Sequence, residues 1–444
     1  MVSHEDSLQA GIDRAGSPVG LLWKPNPPAW TPPILEPEYT GWRAEQGAWL
    51  ESVAIADLSY HMWDTFLSGP GALPLLSDLS ANNYRDFAYG QAKQFLPVTE
   101  SGHIVVDGIL LREAEDRFVL SGVPPAHSWL QYHADRGDYD VEWTCDPSME
   151  FRPGEVPRLF RFQIQGPRAA DLIERAFGGP LPPLKFFHSV PVELGGRRFR
   201  ALRHGMAGQP GCEFIGDYAD HDRVWDALLA AGEPLGLERI GAITYPTSSP
   251  TSGWIPCPLP GIYSDPALAD YRRTLPLLSF EGQIPLHGTY YSPDVEDYYV
   301  TPYDLGYGRF VSFDHEFIGR DALLAAGRQQ RRTKVTLVFD AGQLAPEDGG
   351  VYTLAINRVE RDGELIGTTA VTTFFNPMGV YVGLAVLDSA HATPGSRVEV
   401  AWGEHPGPGA AAGVLGEFPR LTATVAPAPY DTYARAQYRT GVRL

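Results

Sequence analysis

Apolar positions along the chain repeat with two periods, and the change from one to the other divides the sequence. In residues 166–179, Ala169, Leu172, Ile173, Ala176 and Phe177 fall at i, i+3 and i+4, the stripe of an amphipathic helix closed by Gly178-Gly179. Pro167 is expected in its first turn, where the missing N–H is harmless. Residues 220–232, DHDRVWDALLAAG, predict a second such helix with Asp220 as N-cap. PAHSWLQYHADRG predicts a third, stopped by Gly137. Between these, RLFRFQIQGP reads as a strand, HIVVDGILLRE and DRFVLSG as a strand pair, and VPVELGGRRFRAL as a hairpin turning at Gly195-Gly196. Helical stripes end near Gly327. From about Arg331, KVTLVFD, ELIGTTAVTTFF, VYVGLAVL and SRVEVAWGE are strand-like and separated by turn residues.

This order predicts an α+β protein whose last domain is β-rich. Its expected boundaries are 1–150, 151–330 and 331–444. Six prolines in residues 23–39 forbid a helix there and predict an extended segment wrapping the surface.

Composition narrows the function more by exclusion than by indication. The 444 residues include 54 acidic and 35 basic ones, a formal charge of −19. That balance opposes binding to a phosphate backbone or an anionic membrane. Cys145, Cys212 and Cys257 are odd in number and far apart, so neither a disulfide framework nor a metal knuckle is legible, and a cytoplasmic setting is expected. The start, MVSHEDSLQAGIDRAG, is acidic and lacks the apolar run of a signal peptide. No GxGxxG opens a helix after a strand, and P-loop and GxSxG patterns are absent. His127 and His133 are six apart, on different helix faces, so no metal site is expected.

Longer motifs carry a more specific signal. FRFQIQGPRA, RHGMAGQPGCEFIG, TYPTSSPTSGWIPCPLPGIY and TPYDLGYGRFVSFDHEFIGRDAL follow one another in an order that resembles the aminomethyltransferase (glycine-cleavage T-protein) superfamily. YTGWRAEQGAW, AKQFLPVT, the DGI segment and the PYDTYARAQY tail resemble its tetrahydrofolate-dependent aryl O-demethylases, of the vanillate, 3-O-methylgallate and syringate type. The resemblance implies a three-domain cloverleaf around a central folate channel. It implies transfer of a methyl group from a small methoxy-aromatic substrate to tetrahydrofolate, giving a phenol and 5-methyltetrahydrofolate. The glycine-cleavage enzymes carry a GIxDD segment, for which this chain has Gly108-Ile109-Leu110-Leu111-Arg112 with no carboxylate. The KGCYxGQE motif of the iron–sulfur assembly members is absent as well.

By the same resemblance, Glu213 in GCEFIG is expected to accept two N–H groups of the pterin edge. Gln163 and Gln165, two apart and so on one strand face, are expected beside it. Trp254 would stack on the folate, and His61 and Leu22 would line the substrate pocket. Tyr245 takes the catalytic place. A phenol of pKa about 10 is matched to a phenoxide leaving group and can protonate it. The benzoate-using relatives follow the strand DRFVLSG with an arginine that pairs the substrate carboxylate, whereas here Val123 follows Gly122. A vanillate-like anion is therefore not the expected substrate, unless Lys24 or Arg112 supplies the charge. Two readings compete: a demethylase of a sulfonium or methylamine, and a folate-binding regulatory protein without catalysis.

Overall fold

The computed structural model describes residues 4–327, 330–411 and 413–440; the first three residues of the acidic start lie outside them. Three sheets meet around one central cavity. Strands Ala92–Phe95, Gly108–Arg112, Arg117–Gly122, Trp63–Ser68 and Glu142–Asp146, in that spatial order, form an antiparallel sheet. Helices Ala72–Leu79 and Pro124–Arg136 pack their buried faces on it, and Gly137 ends the second, as expected.

The second sheet has six strands, ordered Leu237–Arg239, Val53–Asp57, Leu159–Gln165, Gly211–Asp217, Arg197–Leu202 and Ser189–Leu194. Phe160, Phe162 and Phe214 are fully buried between it and helices Ala169–Phe177 and His221–Gly232. The hairpin turns at Gly195 and Gly196, both with positive φ, as the motif requires. Val53–Asp57 runs between Leu237–Arg239 and Leu159–Gln165, so a strand from the first 150 residues belongs to this second sheet. The chain crosses to the five-stranded sheet through the turn holding His61.

The third sheet is β-rich, as the sequence pattern predicts, and its first long strand is Arg332–Phe339. Six of its strands close on themselves, because Val380–Asp388 pairs both with Arg332–Phe339 and with Glu364–Phe375. Closure removes the exposed edges that an open sheet would present.

Two local expectations are corrected. Pro167 lies before the helix Ala169–Phe177 rather than in its first turn, because Gly166-Pro167-Arg168 form the turn that leaves the strand. Asp220 stands at the N-cap position of His221–Gly232, but its side chain makes no capping hydrogen bond; a 3-10 turn, Tyr218–Asp220, precedes that helix, and Asp217 accepts from Ala219 N–H at its start. Asp220 instead pairs with Arg197 at 3.2 Å.

The proline-rich stretch carries no helix, and its far end is knitted into the fold. Ala242 and Ile243 donate backbone hydrogen bonds to Glu36 and Pro37 at 2.9 and 3.1 Å. Glu45, fully buried in helix Trp42–Glu51, accepts from Tyr39 N–H (2.6 Å) and Thr40 N–H (3.2 Å) with one oxygen. Its other oxygen accepts from Gly241 N–H (2.9 Å) and the Thr244 hydroxyl (2.6 Å). One carboxylate thus fixes the residues immediately before Tyr245. Glu45→Ala strands four donors, and hydrogen bonds to charged groups contribute about 1.5–3 kcal/mol each before relaxation. Chemical denaturation is expected to show a loss of about 3 kcal/mol or more, with Glu45→Gln intermediate; a loss under about 1 kcal/mol would show that the clamp is dispensable.

Candidate active site

Tyr245 owes its position to an unusual helical segment. Residues 245–252 fold as a 3-10 turn, Tyr245–Ser248, running into the short helix Ser249–Ser252. Pro246 and Pro250 remove N–H donors there, and hydroxyls take over part of the bonding. Thr247, Ser248, Ser249, Thr251 and Ser252 each donate a side-chain hydrogen bond to the carbonyl three residues back, at 2.6 to 3.1 Å. Small hydroxyl side chains bonded to their own backbone can be buried tightly, which is why TYPTSSPTS sits in the interior. Gly253 ends the helix at φ 78°, and a Cβ there would lie 2.9 Å from Pro429.

The Tyr245 hydroxyl lies 3.2 Å from His61 Nε2, with the ring centroids 4.8 Å apart. Trp30 covers the outer face of His61, centroid to centroid 5.8 Å. Burial, with a smaller contribution from the Arg161 charge, pushes His61 down to about 3, so the imidazole is neutral at any working pH. Burial and then the Glu213 charge raise Tyr245 well above its ordinary value, against an opposing effect of Arg161. The pair is a protonated phenol beside a neutral imidazole.

The neighbouring strands supply the charges. Register sets Glu213 opposite Gln163. The strands approach so closely at Gly211 that a Cβ would fall 1.9 Å from the Ile164 carbonyl oxygen. Arg161, 3% exposed, donates to Glu213 at 3.3 Å, Asp64 at 3.1 Å and Ser121 at 2.8 Å. His204 Nε2 lies 3.9 Å from Glu213. Arg161, Glu213, His204, His61 and Tyr245 all line one cavity of about 1910 Å³. Around Glu213, Gln163 Oε1, Arg161 Nε and His204 Nδ1 are buried polar atoms without a partner. Unpaired groups of this kind are costly unless a ligand meets them.

A second polar cluster faces the same cavity. Buried Asp107 accepts from Gln94 at 2.7 Å, from Trp254 Nε1 at 3.4 Å and from the Tyr307 hydroxyl at 3.4 Å. Burial raises the Asp107 carboxyl. Lys334 lies alongside, its ammonium bonded to the Gly253 carbonyl at 2.6 Å and pushed down to about 8 by burial.

The structure thus brings His61, Val123, Glu213, Tyr245 and Trp254 onto one cavity, and separates three others from it. Gln163 stands behind Glu213, its amide nitrogen 3.4 Å from that carboxylate. Gln165 does not line the cavity. Its amide accepts from Ala207 N–H at 2.7 Å and donates to the Gln209 carbonyl at 2.8 Å, which fixes the 205–209 loop. Leu22 is also corrected, because helix Pro18–Leu22 turns it fully into the core; Lys24 and residues 26–31 form the cavity wall instead. The wrap is therefore a wall of the cavity as well as a surface segment.

Arg161, Asp107, His204 and Lys334 were missed by sequence reasoning. Arg161 was legible, since it shares the strand face of Gln163 and Gln165. Asp107 immediately precedes the Gly108–Arg112 strand that seemed to lack a carboxylate. Among the described residues no His, Cys, Asp and Glu group could hold a metal ion, and no helix is long and apolar enough to cross a membrane.

Comparison with known proteins places this arrangement. A syringate O-demethylase of Sphingobium sp. is 36% identical over 97% of this chain and 97% of its own length. A sesamin methylene transferase of Sinomonas sp. is 29% identical over 82% and 85%, and an aminomethyltransferase of Streptomyces avermitilis 28% identical over 83% and 86%. The crystal structure of the glycine cleavage system aminomethyltransferase T from Bartonella henselae superposes with a TM-score of 0.64, covering 89% of this chain and 91% of that one, at 18% identity. That likeness establishes the fold: helices and sheets in the T-protein arrangement. The profile of the GCVT N-terminal domain matches residues 26–248, and with the full-length relative above it shows that this chain belongs to the GCVT (aminomethyltransferase) family.

Proposed function

We propose that the protein is a tetrahydrofolate-dependent O-demethylase, moving the methyl group of an aryl methyl ether to tetrahydrofolate and releasing a phenol. The observation that carries this reading is the Tyr245–His61 pair, 3.2 Å apart, on the same cavity as Glu213 and its unpartnered neighbours. Full-length similarity to a syringate O-demethylase supports it. A binding protein without catalysis would need the polar floor of the cavity but no buried, protonated phenol beside it.

The cavity suits a folate. A pterin edge offers adjacent N–H donors, and the Glu213 carboxylate can accept two of them. Arg161 keeps that carboxylate oriented, and Gln163 backs it. Trp254, held by Asp107, lines the cavity with a ring that can stack on a flat ligand. When bound, tetrahydrofolate supplies the amine nitrogen that takes the methyl group and gives up a proton in exchange.

The chain's part is to make the ether oxygen leave. Phenoxide is a poor leaving group, and a hydrogen donated as charge develops lowers the barrier. Tyr245 stays protonated, because burial and the Glu213 charge raise it, and so has a hydrogen to donate to the departing oxygen. Neutral His61, bonded through Nε2 at 3.2 Å, holds the Tyr245 hydroxyl in place. The substrate is expected to lack a carboxylate. Val123, where the benzoate-using relatives carry a pairing arginine, is an apolar wall residue. Arg112 cannot substitute, since its guanidinium donates to the Phe87, Ala114 and Glu115 carbonyls. Stoichiometric appearance of phenol and 5-methyltetrahydrofolate from a methoxyphenol tests the reading; folate binding without any turnover across a panel of methoxy-aromatics would overturn it.

These assignments have four further outcomes. Glu213→Ala is expected to raise the folate dissociation constant at least about tenfold, the low end for a lost charged hydrogen bond, by calorimetry; unchanged affinity would remove Glu213 from the site. Tyr245→Phe should keep folate affinity and lower turnover by about 10² or more. Because His61 titrates near 3 and Tyr245 well above 10, wild-type turnover should show neither an acid limb from His61 nor an alkaline limb from Tyr245 between pH 6 and 9. A wild-type rate in the Phe variant would make Tyr245 structural. Neutral methoxyphenols should be used more efficiently than vanillate, and Val123→Arg should narrow that gap about 10- to 100-fold. A wild-type preference for vanillate, abolished by Lys24→Ala, would reverse the assignment.

A further inference from the structure

Among the groups on the cavity that the demethylation chemistry does not use is a histidine held by a carboxylate. His287 lines the cavity, and its Nδ1 lies 2.8 Å from Glu404 Oε1. The other Glu404 oxygen accepts from Gly288 N–H at 2.8 Å, so the carboxylate is fixed from two sides. A carboxylate can only accept, so Nδ1 carries a hydrogen, and when that is the ring's one hydrogen Nε2 is an acceptor. No residue among those described bonds to Nε2. The ring itself is 5% exposed, so what it meets is what enters the cavity.

Its place is at the other end of the wrap from the reacting pair. Trp30 packs on His61, while Lys24, on the same wall, donates its backbone N–H to the Leu286 carbonyl at 2.9 Å, next to His287. Apolar side chains accompany it there, Phe280 and Ile284 among them. The cavity volume of about 1910 Å³ is also large. Pockets that enclose one drug-sized ligand reach about 1,000 Å³, so the cavity has room beyond one such ligand.

We propose that the wrap end of the cavity is a recognition site for a hydroxyl group on the substrate, remote from the methyl ether, with His287 Nε2 accepting its hydrogen and Glu404 holding the tautomer. The substrate class is then an aryl methyl ether extended beyond one ring, with a free hydroxyl on the second. This rests on the demethylase reading and adds to it a length and a polar end for the substrate.

The test is calorimetry on the full chain without folate, so that no methyl is transferred. It uses two ligands that share a methoxyphenyl ring and differ only in a hydroxyl or a hydrogen on the second ring. The hydroxyl ligand should bind about tenfold more tightly to the wild type. His287→Leu should bring the ratio close to one, and His287→Gln, whose amide oxygen accepts the same hydrogen, should restore part of it. Equal wild-type affinities, or a ratio that survives His287→Leu, would overturn the proposal. So would tighter binding of a ligand ending in a carboxylate, lost in Lys24→Met, which would make this an anion site. Methyl transfer from a one-ring methoxyphenol, measured alongside, addresses the demethylase reading separately: its absence with the hydroxyl preference intact would strike that reading and leave the site standing.

Discussion

Arg161 carries a positive charge at 3% exposure, and only the carboxylates of Asp64 at 3.1 Å and Glu213 at 3.3 Å make that burial tolerable. Those partners stand on different sheets, so the guanidinium couples the five-stranded and six-stranded sheets at the floor of the cavity. Such a triad is weak as a source of net stability, but taking away one member leaves an unpaired charge and costs about 3–5 kcal/mol. Its value here is orientation. Glu213 is held with its carboxylate toward the cavity, and the positive charge contributes to keeping His61 neutral.

The same constraint explains how an acidic protein can present a reactive phenol. Tyr245 is raised first by burial and then by Glu213, and it is restrained by Arg161. Glu45 fixes the backbone ahead of it, while the back-bonded hydroxyls of residues 247–252 fix the backbone after it. A side chain held from both sides loses little entropy on meeting a substrate, which is where positioned acid catalysis gains its advantage. Two carboxylates, Glu213 and Asp107, mark two polar regions of the cavity wall, and Val123 marks an apolar one.

Much of the architecture was legible because it rests on periodicity. The helix stripe of residues 169–177, the Gly195-Gly196 hairpin and the strand-rich stretch from Arg332 all reflect local patterns. What failed depended on direction or on neighbours several residues away. Leu22 is close in sequence to the cavity wall, but one helical turn points it into the core. Asp220 keeps the N-cap position but not the capping bond, because its side chain pairs with Arg197 on a neighbouring strand. Gln165 shares a strand face with Gln163, yet the loop at Ala207 and Gln209 closes over it first, and no pattern within the strand announces that loop. Asp107 and Lys334 lie more than two hundred residues apart, and only the closing of the third sheet over the first brings them together.

In the proposed reaction the methyl group moves intact, drawn off as Tyr245 protonates the departing oxygen, with no oxidation. The most direct measurement follows a trideuteromethyl aryl ether through one turnover in the presence of tetrahydrofolate, with mass spectrometry of both products. The account predicts a phenol without label and a 5-methyltetrahydrofolate that retains all the deuterium of the methyl group. Deuterium lost from the transferred carbon, or label recovered as methanol or formaldehyde, would contradict it.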